Sequence, residues 1–250
     1  MSDGVLSARD VRMAFGGVVA LDGVGLDVRR GHVTGLIGRN GSGKSTLFNC
    51  LTGFLKPTGG TVTLDGRDIT GHAPHDVMRA GVARTFQTPR IAFETTARDA
   101  VLCGLYPQAR QGFLASLLGL PAALRDERAL RERAGAVVER MRMQPWAAQQ
   151  VSKLSMARVR SVEVARAIAA DARFLLLDEP AAGVGRDEMK VLADEIRGLA
   201  ERGIGVLLVE HNFSLIRMLC EEVTVLDTGA VIFRGTPEEA RRDDRVMQLY

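Results

Sequence analysis

Apolar positions along the 250-residue chain fall into three textures. Short β-like runs come first: VVALDGVGLDV at 18–28, HVTGLIG at 32–38 and TVTLDG at 61–66, the last after the turn-forming KPTGG. They predict a strand-rich N-terminal lobe. Between Phe93 and Ser152 the pattern changes, with Leu124, Leu130, Ala134, Val137, Val138 and Met141 near a 3.6-residue repeat and Arg and Glu on the other face. This predicts a helical insertion over about residues 93–155. Beyond it, strand-like FLLLD (174–178), GVLLVE (205–210) and EVTVLD (222–227) alternate with helical segments around 159–170 and 187–201, as in a parallel sheet covered by helices. The tail turns at Gly235 and Pro237 and then predicts a short helix, so that residues 235–250 form a helical C-terminal tail. The expected fold class is α/β: a mixed or parallel sheet with flanking helices, an N-terminal antiparallel β lobe and an inserted helical subdomain, within one domain over residues 1–250.

Composition narrows the function classes. Thirty-three basic against 30 acidic residues, and only 5% aromatic, give no basic face interleaved with stacking rings, so no nucleic-acid partner is expected. The longest apolar stretch starts at Phe113, continues only to Leu124 and contains Pro121, short of the ~20 residues a membrane span needs. The N-terminal MSDGVLSARD lacks the apolar core of a secretory signal. Cys50, Cys103 and Cys220, odd in number and set in apolar surroundings, read as buried reduced thiols, which suits the cytoplasm. His72 and His75 in GHAPHD have a metal-like spacing without further ligands, and read as loop and helix-cap residues.

The chemistry starts at GRNGSGKS, residues 38–45, which fits G-x-x-x-x-G-K-[ST] with a β-like run before it and a helix-compatible STLFNCLTG after it. Gly38, Arg39, Asn40, Gly41, Ser42 and Gly43 would wrap backbone N–H groups around phosphate oxygens, with a helix start adding a favourable dipole. In such a loop Lys44 holds the β- and γ-phosphates of ATP, Ser45 ligates Mg2+ and Thr46 supports the loop. Downstream, FLLLDEP delivers Asp178 to the end of a buried strand, where an acid can hold the Mg2+ water shell. Glu179 follows, aimed at the outer side of the γ-phosphate as general base for the attacking water.

At this point the chain resembles the ATPase subunit of an ABC transporter, a P-loop NTPase, almost end to end. GRNGSGKST resembles its Walker A loop, ARTFQ its Q-loop ending in Gln87, LLLDEPAAGV its Walker B strand and D-loop, and VLLVEHN its switch at His211. GVARTFQTPRIAF, DEPAAGV and the ending VLDTGAVIFRGTPEEARRDDRVMQLY are similar to the branched-chain amino acid importer group. The resemblance implies adenine stacking on Phe15, contact of Gln87 with Mg2+ and the attacking water, and contact of His211 with the γ-phosphate. It also implies a second ATPase subunit, two membrane permease subunits and, for an importer, a solute-binding protein, with the chain peripheral on the inner face of the membrane. Export ATPases share much of this wording, and a regulatory or scaffold protein that binds ATP with little hydrolysis is the reading from another class.

One element departs from the family. Where LSGGQ or LSYGQ is usual, this chain reads LSMAR, keeping Ser155 and replacing the rest with Met156, Ala157 and Arg158. In the family this segment closes over ATP held by the partner subunit. Ala157 adds a Cβ where backbone approaches phosphate and disfavours positive φ, whereas Arg158 brings a compensating cation. Ser155 also reads as a helix N-cap, and Gly185 stands in the D-loop where Asn or Asp is common. The expectation is asymmetry: a complete catalytic set given to one composite site, a degenerate signature to the other, and a non-identical partner favoured over the alternative of a second copy, in which both sites would carry the degenerate signature. Restoring Met156→Tyr, Ala157→Gly and Arg158→Gln together is expected to raise ATP turnover of the assembled complex, as measured by phosphate release.

Overall fold

The computed structural model describes residues 4–85, 91–106 and 120–249. They form two compact units, the first made of residues 1–87, 173–182 and 189–250, the second of residues 88–172 and 183–188.

The first unit holds two sheets. The four-stranded antiparallel sheet has the order β2-β1-β4-β5, with β1 Val5–Phe15, β2 Val18–Arg29, β4 Gly59–Leu64 and β5 Arg67–Asp68. Strand β1 escapes a period-two reading for a physical reason. Leu6 and Ala8 face the core, then Asp10 takes φ 47° and the register shifts, so the next inward residues are Val11 and Met13. The bulge swaps the faces in mid-strand.

The six-stranded sheet has the order β10-β9-β3-β8-β7-β6. Its members are β3 Val33–Gly38, β6 Val82–Arg84, β7 Phe174–Asp178, β8 Gly205–Val209, β9 Glu222–Asp227 and β10 Ala230–Gly235. All neighbours are parallel except the edge pair β9–β10, so the sheet is mixed. Strands β3, β7 and β8 are buried at every position, as strands covered on both faces must be, and this is why they read as unbroken apolar runs. Helix α1, Lys44–Leu51, puts fully buried Leu47, Phe48 and Leu51 into one core with Leu6, Leu26, Val62, Phe174, Leu176 and Leu207.

In the second unit, α3 (Ala97–Cys103), α4 (Pro121–Arg140) and α5 (Met156–Ala169) pack on one another. Thr96 caps α3 by accepting the Asp99 N–H, and Leu130, Ala134, Val137 and Val138 form the buried stripe of α4 at the spacing the sequence predicts, whereas Leu124, expected with them, is exposed and Ala123 is buried in its place. Arg160 and Glu163 form an ion pair of 2.7 Å with side chains 3% and 5% exposed.

The remaining α-helices among the described residues are α2 (Pro74–Arg79), α6 (Arg186–Glu201), α7 (Phe213–Leu219), α8 (Pro237–Ala240) and α9 (Asp244–Met247). Two sequence expectations fail here. Cys50 and Cys220 are buried, and burial pushes the Cys50 thiol up to about 11, but Cys103 is exposed at the last position of α3. Neither histidine of GHAPHD caps α2: its N-cap is Ala73, and His75 sits inside the helix beside Asp76. Most of the 113–124 apolar stretch and Gln87 lie outside the described residues. Among the described residues no helix is long and apolar enough to cross a membrane. Phe48→Ala, which empties a fully buried ring site in the shared core, is expected to cost about 3–5 kcal/mol, read as a lower denaturant midpoint at unchanged slope.

Candidate functional site

Because β3, β8 and β7 run parallel side by side, their C-terminal ends meet at one edge of the sheet. There β3 enters the loop at Gly38, β8 ends at Val209 ahead of Glu210 and His211, and β7 ends on Asp178 ahead of Glu179. Val209 is in register with both Leu36 and Asp178.

The loop at residues 38–43 can be built only with glycine at two places. Gly38 has φ 150° and a Cβ there would fall 2.2 Å from the Leu226 carbonyl oxygen; Gly43 has φ 103° and a Cβ there would fall 2.7 Å from that of Ala20. Gly43 caps α1 without a side chain, no acid stands in the first turn, and the first intrahelical bond runs from the Leu47 N–H to the Gly43 carbonyl at 2.9 Å. The N–H groups of Lys44, Ser45 and Thr46 therefore have no acceptor within the helix, which suits an anion.

Lys44 is buried to 8% exposure, and its amine donates to the carbonyls of Gly38 at 2.7 Å and Arg39 at 2.8 Å. Burial lowers its pKa, while the charges of Glu179 and Asp178 raise it. That both carboxylates act on the amine marks the convergence of loop and β7. Ser45, Arg39, Asn40 and Gly41 are exposed, Thr46 is half-buried, and Ser42 is buried with a hydroxyl that has no hydrogen-bond partner among the described residues.

Asp178 is buried, and its N–H donates to the Thr85 hydroxyl at 3.3 Å. Glu179 leaves the strand with φ 47°, an uncommon conformation for a residue with a side chain, held by its N–H donating to the Val209 carbonyl at 2.9 Å. His211 lies with Nδ1 3.7 Å from Glu179 Oε1, so the predicted base and switch residue are neighbours.

Two further groups have no predicted role. Glu210, 1% exposed, accepts the N–H groups of Ala181 at 2.9 Å, His211 at 3.1 Å and Asn212 at 3.3 Å, tying the turn after Glu179 to the segment carrying His211. The sequence signal was an acid at the close of an otherwise apolar strand. Arg84 donates to Asn49 Oδ1 at 2.7 Å and Thr52 Oγ1 at 3.1 Å, with its guanidinium 4.5 Å and 4.8 Å from the ring centroids of Phe48 and Phe54. It bolts β6 to the end of α1; the fragment ARTFQ gave it no mark beyond its charge.

Comparison with known proteins bears on this geometry. Residues 21–182 match the family described as ABC transporter. The chain belongs to the ABC transporter family. Over all of its length and 98% of the relative, it is 38% identical to the high-affinity branched-chain amino acid transport ATP-binding protein BraF of Pseudomonas aeruginosa. It is likewise 38% identical, over 100% of this chain and 98% of the relative, to LivG of Salmonella typhimurium, which bears the same description. Among solved structures, the ADP conformation of MJ1267, an ATP-binding cassette of an ABC transporter, matches with TM-score 0.86 and 30% identity, over 100% of this chain and 99% of that one. The expected α/β class with an antiparallel sheet and a helical insertion agrees with these cassettes.

In this ABC-family chain Phe15 lies at the end of β1, 48% exposed and outside the core, with exposed Val18 and Val19 across the turn. Ser155 occupies the N-cap of α5 in extended conformation but makes no capping bond; its hydroxyl donates to Glu188 Oε1 at 2.7 Å. Residue 157 lies inside α5, and residues 156–158 are absent from the positive-φ positions, so the backbone penalty expected of Ala157 does not arise. Arg158 stacks over Trp146, 5.6 Å from the ring centroid. Glu210→Ala should strip three N–H groups of their acceptor, costing about 1–3 kcal/mol, and lower ATP turnover through displaced His211; thermal unfolding and phosphate release check the two effects.

Proposed function

We propose that this chain is the ATP-binding and ATP-hydrolysing motor subunit of an importer, carrying branched-chain amino acids or related small polar solutes. The observation that carries the reading is the buried Lys44 amine, clasped by loop carbonyls within the influence of Asp178 and Glu179, beside a helix start with open N–H groups. The full-length likeness to proteins named for branched-chain amino acid transport supports the solute class.

The chain's residues then divide the work. Lys44 and the N–H groups of the loop hold the β- and γ-phosphates, and Phe15 offers an exposed ring to adenine. Bound Mg2+, held by Ser45 and Asp178, would supply positive charge that neutralises charge developing on the phosphates. The donors fit such an ion: one carboxylate, Asp178, and one hydroxyl, Ser45, leave most of its shell to phosphate and water, as Mg2+ prefers. Gln87 adds a further contact in this reading. Glu179 accepts the proton of the attacking water, and His211, next to it, holds the γ-phosphate end of the site. Catalysis is positioning and charge stabilisation.

The chain works with a second ATPase subunit that is not identical to it, two membrane permeases and a solute-binding protein, at the cytoplasmic face of the membrane. Two substitutions test the reading. Lys44→Ala should remove measurable ATP affinity in calorimetry. Glu179→Gln should keep affinity within about threefold and cut turnover about 100-fold or more; turnover near that of the unaltered chain would rule Glu179 out as the base.

A further inference from the structure

The hydroxyl of Ser155 has one proton, and the structure commits it. It donates to Glu188 Oε1 at 2.7 Å, within the second unit, to which both residues belong. An ionised carboxylate only accepts hydrogen bonds, so the hydroxyl keeps only its acceptor capacity for anything else. A phosphate oxygen needs a donor. Arg158, the cation of the same segment, is stacked on Trp146. Of the two LSMAR side chains that can attract a phosphate, Ser155 has its only proton committed and Arg158 is drawn to the Trp146 ring, and Glu188 adds a negative charge beside Ser155.

We propose that Glu188 is a positioning residue that withholds the Ser155 hydroxyl from the nucleotide held by the opposing subunit, making this chain's signature surface the weaker half of the pair. The proposal rests on the motor reading above, in which that surface meets a partner's ATP. Closing on a triphosphate requires Ser155 to exchange a charge-assisted bond for one to phosphate while the Glu188 carboxylate repels the incoming charge. Met156, 41% exposed, offers no donor in its place. The proposed asymmetry then has a source other than backbone strain at Ala157, and the source is a side chain some thirty residues away in sequence.

The test uses the transporter isolated through this chain with its own partner subunits, and reads the dependence of phosphate release on ATP concentration. Glu188→Ala is expected to lower KM about three- to tenfold with kcat held within about twofold. Glu188→Gln, which keeps an acceptor but loses the charge, should fall between it and the unaltered protein. In a Ser155→Ala background the effect of Glu188→Ala should shrink to the small part that relief of charge repulsion alone gives, an outcome a merely structural Glu188 would not give. The emission of Trp146, the single tryptophan of the chain, checks that the unit carrying Ser155 and Glu188 stays intact. Unchanged or raised KM, or an equal fall without Ser155, overturns the proposal. Calorimetry on the isolated chain separates the two readings: loss of Lys44-dependent ATP affinity sinks the motor, whereas intact affinity with a flat KM response sinks only the role of Glu188.

Discussion

The structure depends on keeping one ammonium group buried and charged. Desolvation works against Lys44, and four groups hold it: two loop carbonyls at hydrogen-bond distance and the carboxylates of Asp178 and Glu179. None of these partners is local to the lysine's helix. The carbonyls come from a loop that only glycine can fold at Gly38 and Gly43, and the carboxylates come from a strand 134 residues later in sequence, at position 178 against 44. The parallel sheet supplies the coincidence. Strands buried on both faces can carry charge only at their ends, and parallel order puts those ends together.

The acids show how this edge sorts chemistry by position. Asp178, still in the strand, is buried and anchored through its N–H to Thr85. Glu179, one residue on, leaves the strand in a left-handed conformation and meets His211 instead. Glu210, almost fully buried, accepts the N–H groups of Ala181, His211 and Asn212 and so ties the turn after Glu179 to the segment carrying His211. A carboxylate that accepts three backbone N–H groups is a rigid joint, and it explains how an exposed histidine can be kept in place beside Glu179.

The signature segment illustrates how a substitution can be misread from sequence. Ala157 was expected to strain the backbone, yet its position is helical and the strain is absent. What distinguishes the segment is the engagement of its neighbours: Ser155 with Glu188 and Arg158 with Trp146. Both contacts form between residues remote in sequence or across a loop, so neither leaves a mark in the motif itself.

The sequence alone determined the parts set by local pattern. Unbroken apolar runs gave β3, β7 and β8, the 3.6-residue repeat gave α4, and the glycine spacing marked the tight loop that clasps Lys44, because burial and backbone conformation restrict residue type directly. Tertiary structure alone decided the rest. The bulge at Asp10 hid β1 by exchanging its faces, Cys103 reached the surface despite apolar neighbours, and Glu210, Arg84 and Glu188 acquired partners 29, 35 and 33 residues away. Hydrogen bonds and ion pairs depend on where a group is delivered in space, and that is fixed only when strands from distant parts of the chain take their places in one sheet.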